Sequence, residues 1–472
     1  VIGLLIALAA LGAYWLSNPD HWNSYNHFVW QADAFLHGRA WIPYPVEGVD
    51  GQPGNAYFND VYPLLDAGGD PTGRALLPFP PLPAIVLLPF VALWGLTTDQ
   101  ETIAIALGGL GVLATWWMLG GLRPRTSVRA LTTILFATGT VWWWAASVGS
   151  TWYLAHLVAV NLAMLAVGIA LRHDPRAADE DPWSEDDRDA ERMAASGVAD
   201  TLAARIRSQA WPLDRSQVVA GFLLGLAVTA RLPLVFAAPF FIFVGGGGSR
   251  LRRLVSAGVG GFLPVAALLL YTYLTTGAFM HPGYDYQYQL EAHGYPTLGY
   301  NPDWAVEDLR YIPQNIGVMF GALPAFLPDI KPDTLGFGDT TFLCVAPGAT
   351  RSLFDISCPI AMPIDIGTSI LVSAPGLLLA VIAFAKRGFA RLSIGSGAAV
   401  LIVMVFNLAH FSQGWVQWGY RFSLDFIPFL LPMVALGAAR SDGRPRLIAW
   451  VLVGAGALIN VWGVIWGQIL GW

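Results

Sequence analysis

The sequence predicts an all-α, polytopic membrane protein of about 11–12 transmembrane helices, and three observations carry that expectation. Hydrophobic residues make up 55% of the 472 and charged residues only 12%, with a mean hydropathy of +0.53, well outside the soluble range. Apolar stretches at 254–275, 392–410 and 446–470 are each long enough to cross a hydrocarbon core of roughly 30 Å. Nineteen of the 26 Lys and Arg residues fall in five short stretches, 123–129, 172–215, 250–253, 386–391 and 440–446, which the positive-inside rule assigns to the cytoplasm. The net charge of -6 is a sum over two aqueous faces and says little about partners. The bilayer is the expected partner; nucleic acid is not.

In chain order the apolar runs are 1–16, 81–97, 102–121, 130–147, 152–171, 216–231, 232–247, 254–275, 367–385, 392–410, 420–438 and 446–470. The chain opens inside the first run without an initiator Met, so further N-terminal residues are expected ahead of it; no cleavable signal is visible. Twelve crossings would put the 17–80 segment in the cytoplasm. The 81–97 run is short and carries Pro83 and Pro89. If it only dips into the bilayer, eleven spans remain, and 17–80 becomes a first outer loop. The large 276–366 segment and the turns at 148–151 and 411–419 then lie outside with it. The eleven-span reading is preferred; its alternative is a breach of the rule at 123–129. All 472 residues are expected to form one transmembrane domain.

The 172–215 loop, with DEDPWSEDDRDAERMAA, reads as solvated cytoplasmic surface and receives no chemistry. The outer 276–366 segment carries HPGYDYQYQLEAHGY, whose alternation suits a short strand, a sugar-stacking surface or packing on the membrane. Cys344 and Cys358 both lie there and are the only two cysteines. In an oxidising compartment they are expected to pair, a cross-link worth roughly 3 kcal/mol in the chain-entropy model. Two thiols without a nearby Cys or His complete no zinc site.

Two arginines stand inside membrane-length runs: Arg231 in GFLLGLAVTARLPLVFAAPF and Arg421 in QWGYRFSLDFIPFLLP. An intramembrane cation is costly and needs a partner, a cavity or a substrate. Two near one face suit a lipid-linked phosphate. The structural alternative pairs Arg421 with Asp425 and lets Arg231 snorkel to the interface.

The first outer loop supplies the complementary groups. From Tyr25 to His37 it reads as an amphipathic helix in the interface plane. Phe28, Ala32, Phe35 and Leu36 form one stripe, and Asn26, Trp30, Asp33 and His37 another. Gly38 ends it. Glycosyl transfer needs a base for the acceptor proton, cations for a leaving phosphate and flat faces for sugar rings. Asp20 or Asp33 could be the base, with His27 or His37 as further candidates nearby. Arg231 and Arg421 could clamp phosphate, with Lys331 and Arg310 in the outer loop as reserves. Trp22, Trp30, His37, Trp415 and Tyr420 could contact sugar or acceptor. Read singly, each is an ordinary interfacial residue; the intramembrane arginines tip the balance.

An outer first loop with an acidic residue on a helix ending in LHGR, then FPPLPAIVLLP, then GFLLGLAVTARLPLVFAAP, resembles the GT-C superfamily of integral-membrane glycosyltransferases. The likeness is greatest to the protein O-mannosyltransferase and lipid A aminoarabinose transferase group. The resemblance implies a GT-C-like fold, a polyprenyl-phosphate sugar donor, an inverting transfer on the outer face of the plasma membrane, and a first-loop Asp as base. It covers most of the chain in layout through a few short motifs. Pro19-Asp20 stands early relative to Gly38, and the Asp that group often carries after its fourth span is replaced by Ser150, Thr151 and His156 in ASVGSTWYLAH. No DxD stands in the first loop, so metal-independent chemistry without a cofactor is expected, with a divalent ion as the alternative. The acceptor is expected to be a glycan, lipid or protein. Competing expectations are a transporter or flippase of a lipid-linked sugar, against which no internal repeat is seen, and a polyprenyl-linked glycan polymerase or ligase.

Overall fold

The structure, a computed structural model, describes residues 1–19, 25–43, 60–174 and 213–472 apart from 287, 289–300, 302, 337, 389 and 415. The charged 175–212 stretch, Asp20, Trp22 and Trp415 lie outside the described residues.

Every apolar run read from the sequence is helical. Helices α1 (Ile2–Leu16), α2 (His27–Leu36), α3 (Leu82–Trp94) and α4 (Gln100–Leu119) open the chain. A pair, α5 (Thr126–Thr138) and α6 (Trp142–Val148), is bent by 50° at the Gly139-Thr140 break. Next come α7 (Thr151–His173), α8 (Arg215–Val228), a 3₁₀ stretch Leu232–Ala237 leading to α9 (Phe240–Phe243), and α10 (Arg250–Thr276). The second half holds α11 (Ile312–Ile316), α12 (Ile370–Ser373), α13 (Leu379–Arg387), α14 (Arg391–Ala409), α15 (Ile427–Ala438) and α16 (Leu447–Leu470). Among the described residues five helices are long and apolar enough to cross a membrane, and the bent pair makes a sixth. The protein is an integral membrane protein.

The helix ends sort into two groups. One gathers the basic stretches: Arg129 Nε donates to Trp116 O (2.7 Å), and Arg391 meets both Asp174 (3.1 Å) and Phe243 O (3.1 Å). The other gathers the long loops: Asn18 reaches Ser147 O (3.0 Å), and Asn315 reaches Leu408 O (2.8 Å). These are called the basic end and the loop end.

Helix α3 begins and finishes at the loop end. The Leu82 N–H donates to Thr229 O (3.1 Å), just past α8, and after α3 the Gln100 amide donates to Gly149 O (2.7 Å), just before α7. Pro81 and Pro83 start the helix and Pro89 interrupts its hydrogen bonding. It packs along α2. Several runs that do pass between the ends are helices of 10–17 residues, such as α8 and α15, shorter than the twenty or so expected of a full span.

Helix α2 forms where the pattern placed it, with both faces covered. Phe28 and Ala32 enter the main core, while Trp30 and Ala34 pack with Ile42, Val61, Ala75 and Leu77. These last belong to or flank a small antiparallel sheet of β1 (Ile42–Pro43), β3 (Pro71–Leu76) and β2 (Tyr62–Leu65). Of the YDYQYQ stretch, Tyr284, Asp285 and Tyr286 belong to a helical turn over residues 283–286.

Candidate active site at the loop end

The site is built from the first turns of α7 and the chain breaks at the two arginines. Gly149, in the left-handed region at φ 60°, makes the turn between α6 and α7; a Cβ there would lie 2.6 Å from Ala104 Cβ. Helix α7 then presents Trp152, Tyr153 and His156 within its first two turns, its N-terminus held by Thr151 donating to Tyr25 O (2.7 Å).

Neither arginine sits in a continuous helix. Pro233 cannot extend α8, so Arg231 is extended (φ -144°, ψ 105°) between α8 and the 3₁₀ stretch. Arg421 opens a second 3₁₀ stretch, Arg421–Asp425, ahead of α15. Asp425 pairs with Arg231 rather than Arg421. Arg231 Nε and Nη2 donate to its two oxygens at 3.2 and 2.9 Å. Fully buried, Asp425 also accepts from the Asn407 amide (3.1 Å) and lies 3.1 Å from His156 Nδ1. This bidentate pairing replaces both the snorkelling of Arg231 and the Arg421–Asp425 pair as structural expectations.

Arg421 is buried among rings, its guanidinium 5.8, 5.9 and 5.3 Å from Trp152, Tyr153 and Phe422. Its Nε has no hydrogen-bond partner among the described residues. The carboxylate on its side of the site is Asp60, which accepts from Trp152 Nε1 at 2.6 Å. Desolvation pushes the Asp60 carboxyl above its ordinary range, while the Trp152 N–H and the Arg421 guanidinium pull it back. Tyr284 stands within electrostatic reach of both Arg231 and Asp60. It also lines an apolar groove with Phe79, Pro81, Leu232, Leu268 and Tyr271. Phe79 and Pro81 come from the FPPLP motif, and α10 offers this groove on a helix that is mostly exposed along its length.

The other sequence candidates are placed as follows. Asp33 pairs with Arg39 (3.4 Å) and His37 (3.5 Å), and no contact joins it to Arg231 or Arg421 among the described residues. His27 is buried and its Nδ1 meets Thr151 Oγ1 at 2.9 Å, tying α2 to α7. Trp30 lies beneath the small sheet, and His37 is an exposed C-cap. Tyr420 is buried and donates to Gln413. Lys331 pairs with Asp339 (2.7 Å) and Arg310 with Asp308 (2.6 Å). Cys344 and Cys358 are disulfide-bonded. Among the described residues no three His, Cys, Asp or Glu side chains converge as a metal site would need. Sequence reasoning missed Asp60, Tyr284 and the His156–Asp425 contact. A lone acid among aromatics in AYFNDVYP was the available signal for Asp60.

No described protein family matches the chain, and neither does any curated protein. Among solved structures it is similar to the oligosaccharyltransferase of Archaeoglobus fulgidus in the apo form, with a TM-score of 0.40 and 13% identity over 99% of this chain. The chain spans 55% of the length of that protein. The likeness is distant, and the functional reading rests on the site itself.

Proposed function

We propose that this protein is a glycosyltransferase that moves a sugar from a polyprenyl-phosphate donor to an acceptor on the side of the membrane away from the cytoplasm. The observation that carries the reading is the juxtaposition at the loop end. Arg421, a buried arginine whose Nε has no partner among the described residues, stands with a partly buried carboxylate, Asp60, and Tyr284 in the wall of an apolar groove lies within electrostatic reach of Asp60 and Arg231. A cation, a base and an apolar surface for the donor's lipid are what this transfer needs.

In this reading the prenyl chain lies in the groove and its phosphate meets Arg421, with Arg231 at the edge. Asp60 accepts the proton of the acceptor hydroxyl as its oxygen attacks the anomeric carbon. The bond from that carbon to the phosphate oxygen breaks, and the electron pair stays on the phosphate, where the guanidinium stabilises it. A single displacement inverts the anomeric centre. The arginines meet the developing charge, so no cofactor beyond the lipid-linked donor enters the scheme. The clustered basic residues favour a cytoplasmic basic end and an outward-facing site, as expected of a plasma-membrane enzyme acting on a glycan, lipid or protein acceptor. Asp33, on α2, is the comparison residue for the base.

The test is purified protein in proteoliposomes with a polyprenyl-phosphate monosaccharide labelled in the sugar. Release or transfer of labelled sugar is the expected result. Movement of intact donor between leaflets without bond cleavage would replace the transferase with a flippase.

A further inference from the structure

Beyond the site, the 312–362 segment carries large apolar side chains on its surface where no helix crosses the membrane. Helix α11 and the turn that follows it (Gly317–Gly321) lie across the end of α14, the Asn315 amide donating to Leu408 O (2.8 Å) and His410 O (2.9 Å). Asn315 and Met319 form the inner face, while Ile316 and Phe320, and Leu323 in the extended stretch beyond, face outward, exposed by 44, 37 and 56%. The chain continues into a hairpin of β4 (Ala325–Phe326) and β5 (Ala361–Met362), extended by the Ile330–Phe342 bridge and closed by the disulfide. Phe326, Phe342 and Val345 on it are 69, 66 and 75% exposed. Isolated exposed apolar residues need no explanation, but a run of this kind does.

We propose that this segment is a rim anchor, seated in the boundary between headgroups and acyl chains on the loop side, with lipid as its occupant. Depth supports this. Trp466 Nε1, one turn before the end of α16, donates to Leu353 O at 3.2 Å. This fixes the hairpin at the level of the last turn of a spanning helix whose outer face, with Leu458, Val461 and Ile465, is itself exposed and apolar. The rim is thus continuous with a lipid-facing surface. The two cations of the hairpin are matched within it, Lys331 with Asp339 and Arg351 with Asp329, both at 2.7 Å, while the Asp333 and Asp355 carboxylates accept backbone N–H groups. An outward-facing apolar surface on a segment lying across a helix end is suited to the boundary between headgroups and acyl chains.

The test places a photo-crosslinking benzoylphenylalanine at Phe326, Phe342 or Val345, one position per variant, in the full chain reconstituted in vesicles. Asp70, in the exposed β2–β3 turn, is the comparison position. After irradiation, intact mass should show lipid adducts at the three hairpin positions well above Asp70. Adducts no greater than at Asp70, covalent dimers, or cross-links to another polypeptide would overturn the proposal.

Discussion

The two ends of the helix bundle use arginine in different ways. At the basic end several guanidiniums close off helix termini, and Arg391 pairs with Asp174 (3.1 Å). Arg129 lies 4.1 Å over Trp116 and donates to its carbonyl, Arg172 lies 3.7 Å over Trp117, and Arg446 Nε donates to Gly437 O (3.0 Å). Such arginines satisfy the carbonyls that a helix C-terminus leaves without partners. At the loop end Arg231 and Arg421 sit at chain breaks and face carboxylates, and the buried Nε of Arg421 has no partner among the described residues. The arginines that cap helix ends spend donors on backbone carbonyls; the Arg421 Nε donor is spent on none of the described groups.

The contrast can be broken in several ways, and the largest effect is expected at Arg231. Arg231→Ala strands the buried Asp425 and should cost about 3–5 kcal/mol of stability, read as a lowered melting temperature. Arg231→Ala with Asp425→Ala should recover much of that stability without recovering transfer. A double variant with wild-type turnover would reduce Arg231 to a structural partner. Arg421→Lys keeps the charge but loses the planar fork, so turnover should fall by about 10²–10³-fold with the fold intact. Wild-type turnover in that variant would remove the guanidinium from the chemistry.

A pH effect sharpens the picture of the groove. His281 is buried in its wall and accepts from the Gly283 N–H through Nδ1 at 3.0 Å, which requires the neutral ring. Burial lowers its pKa from 6.5 to about 4. The folded state therefore binds fewer protons than the unfolded state between those values. The stability is fully present above about pH 6.5 and is lost as pH falls towards 4, by up to about 1.4 kcal/mol per pH unit. His281→Gln should flatten the slope of melting temperature against pH over that window; an unchanged slope would assign it to other groups. The smallest effect is expected at the basic end. Arg129→Ala should cost about 1 kcal/mol and leave transfer unchanged. Lost transfer in a folded Arg129 variant would erase the distinction between the two ends.

Much of the scaffold was legible because apolar run length and turn chemistry are local. Each run became helix, Pro83 and Pro89 marked the one that returns to its own end, and Gly38 follows α2 as its pattern required. The site was legible only in part. Arg231 and Arg421 stood out because charge is rare in apolar runs, but their partners depend on how the chain folds back. Asp425 is near Arg421 in sequence yet pairs with Arg231, 194 residues away. Asp60 comes to Trp152 across 92 residues, a contact no periodicity encodes. Asp33 drew attention through helix spacing, which reports a shared face and not what that face meets; here it meets Arg39.

Asp60, beside Arg421, is the proposed acceptor of the acceptor hydroxyl's proton. The direct measurement compares Asp60→Asn with Asp33→Asn in the proteoliposome transfer assay, at matched expression and melting temperature. The account predicts that Asp60→Asn lowers turnover by about 10²–10⁴-fold, the usual contribution of a general base, while Asp33→Asn stays near wild type. Near-normal turnover in Asp60→Asn, or the large loss at Asp33 instead, would contradict it.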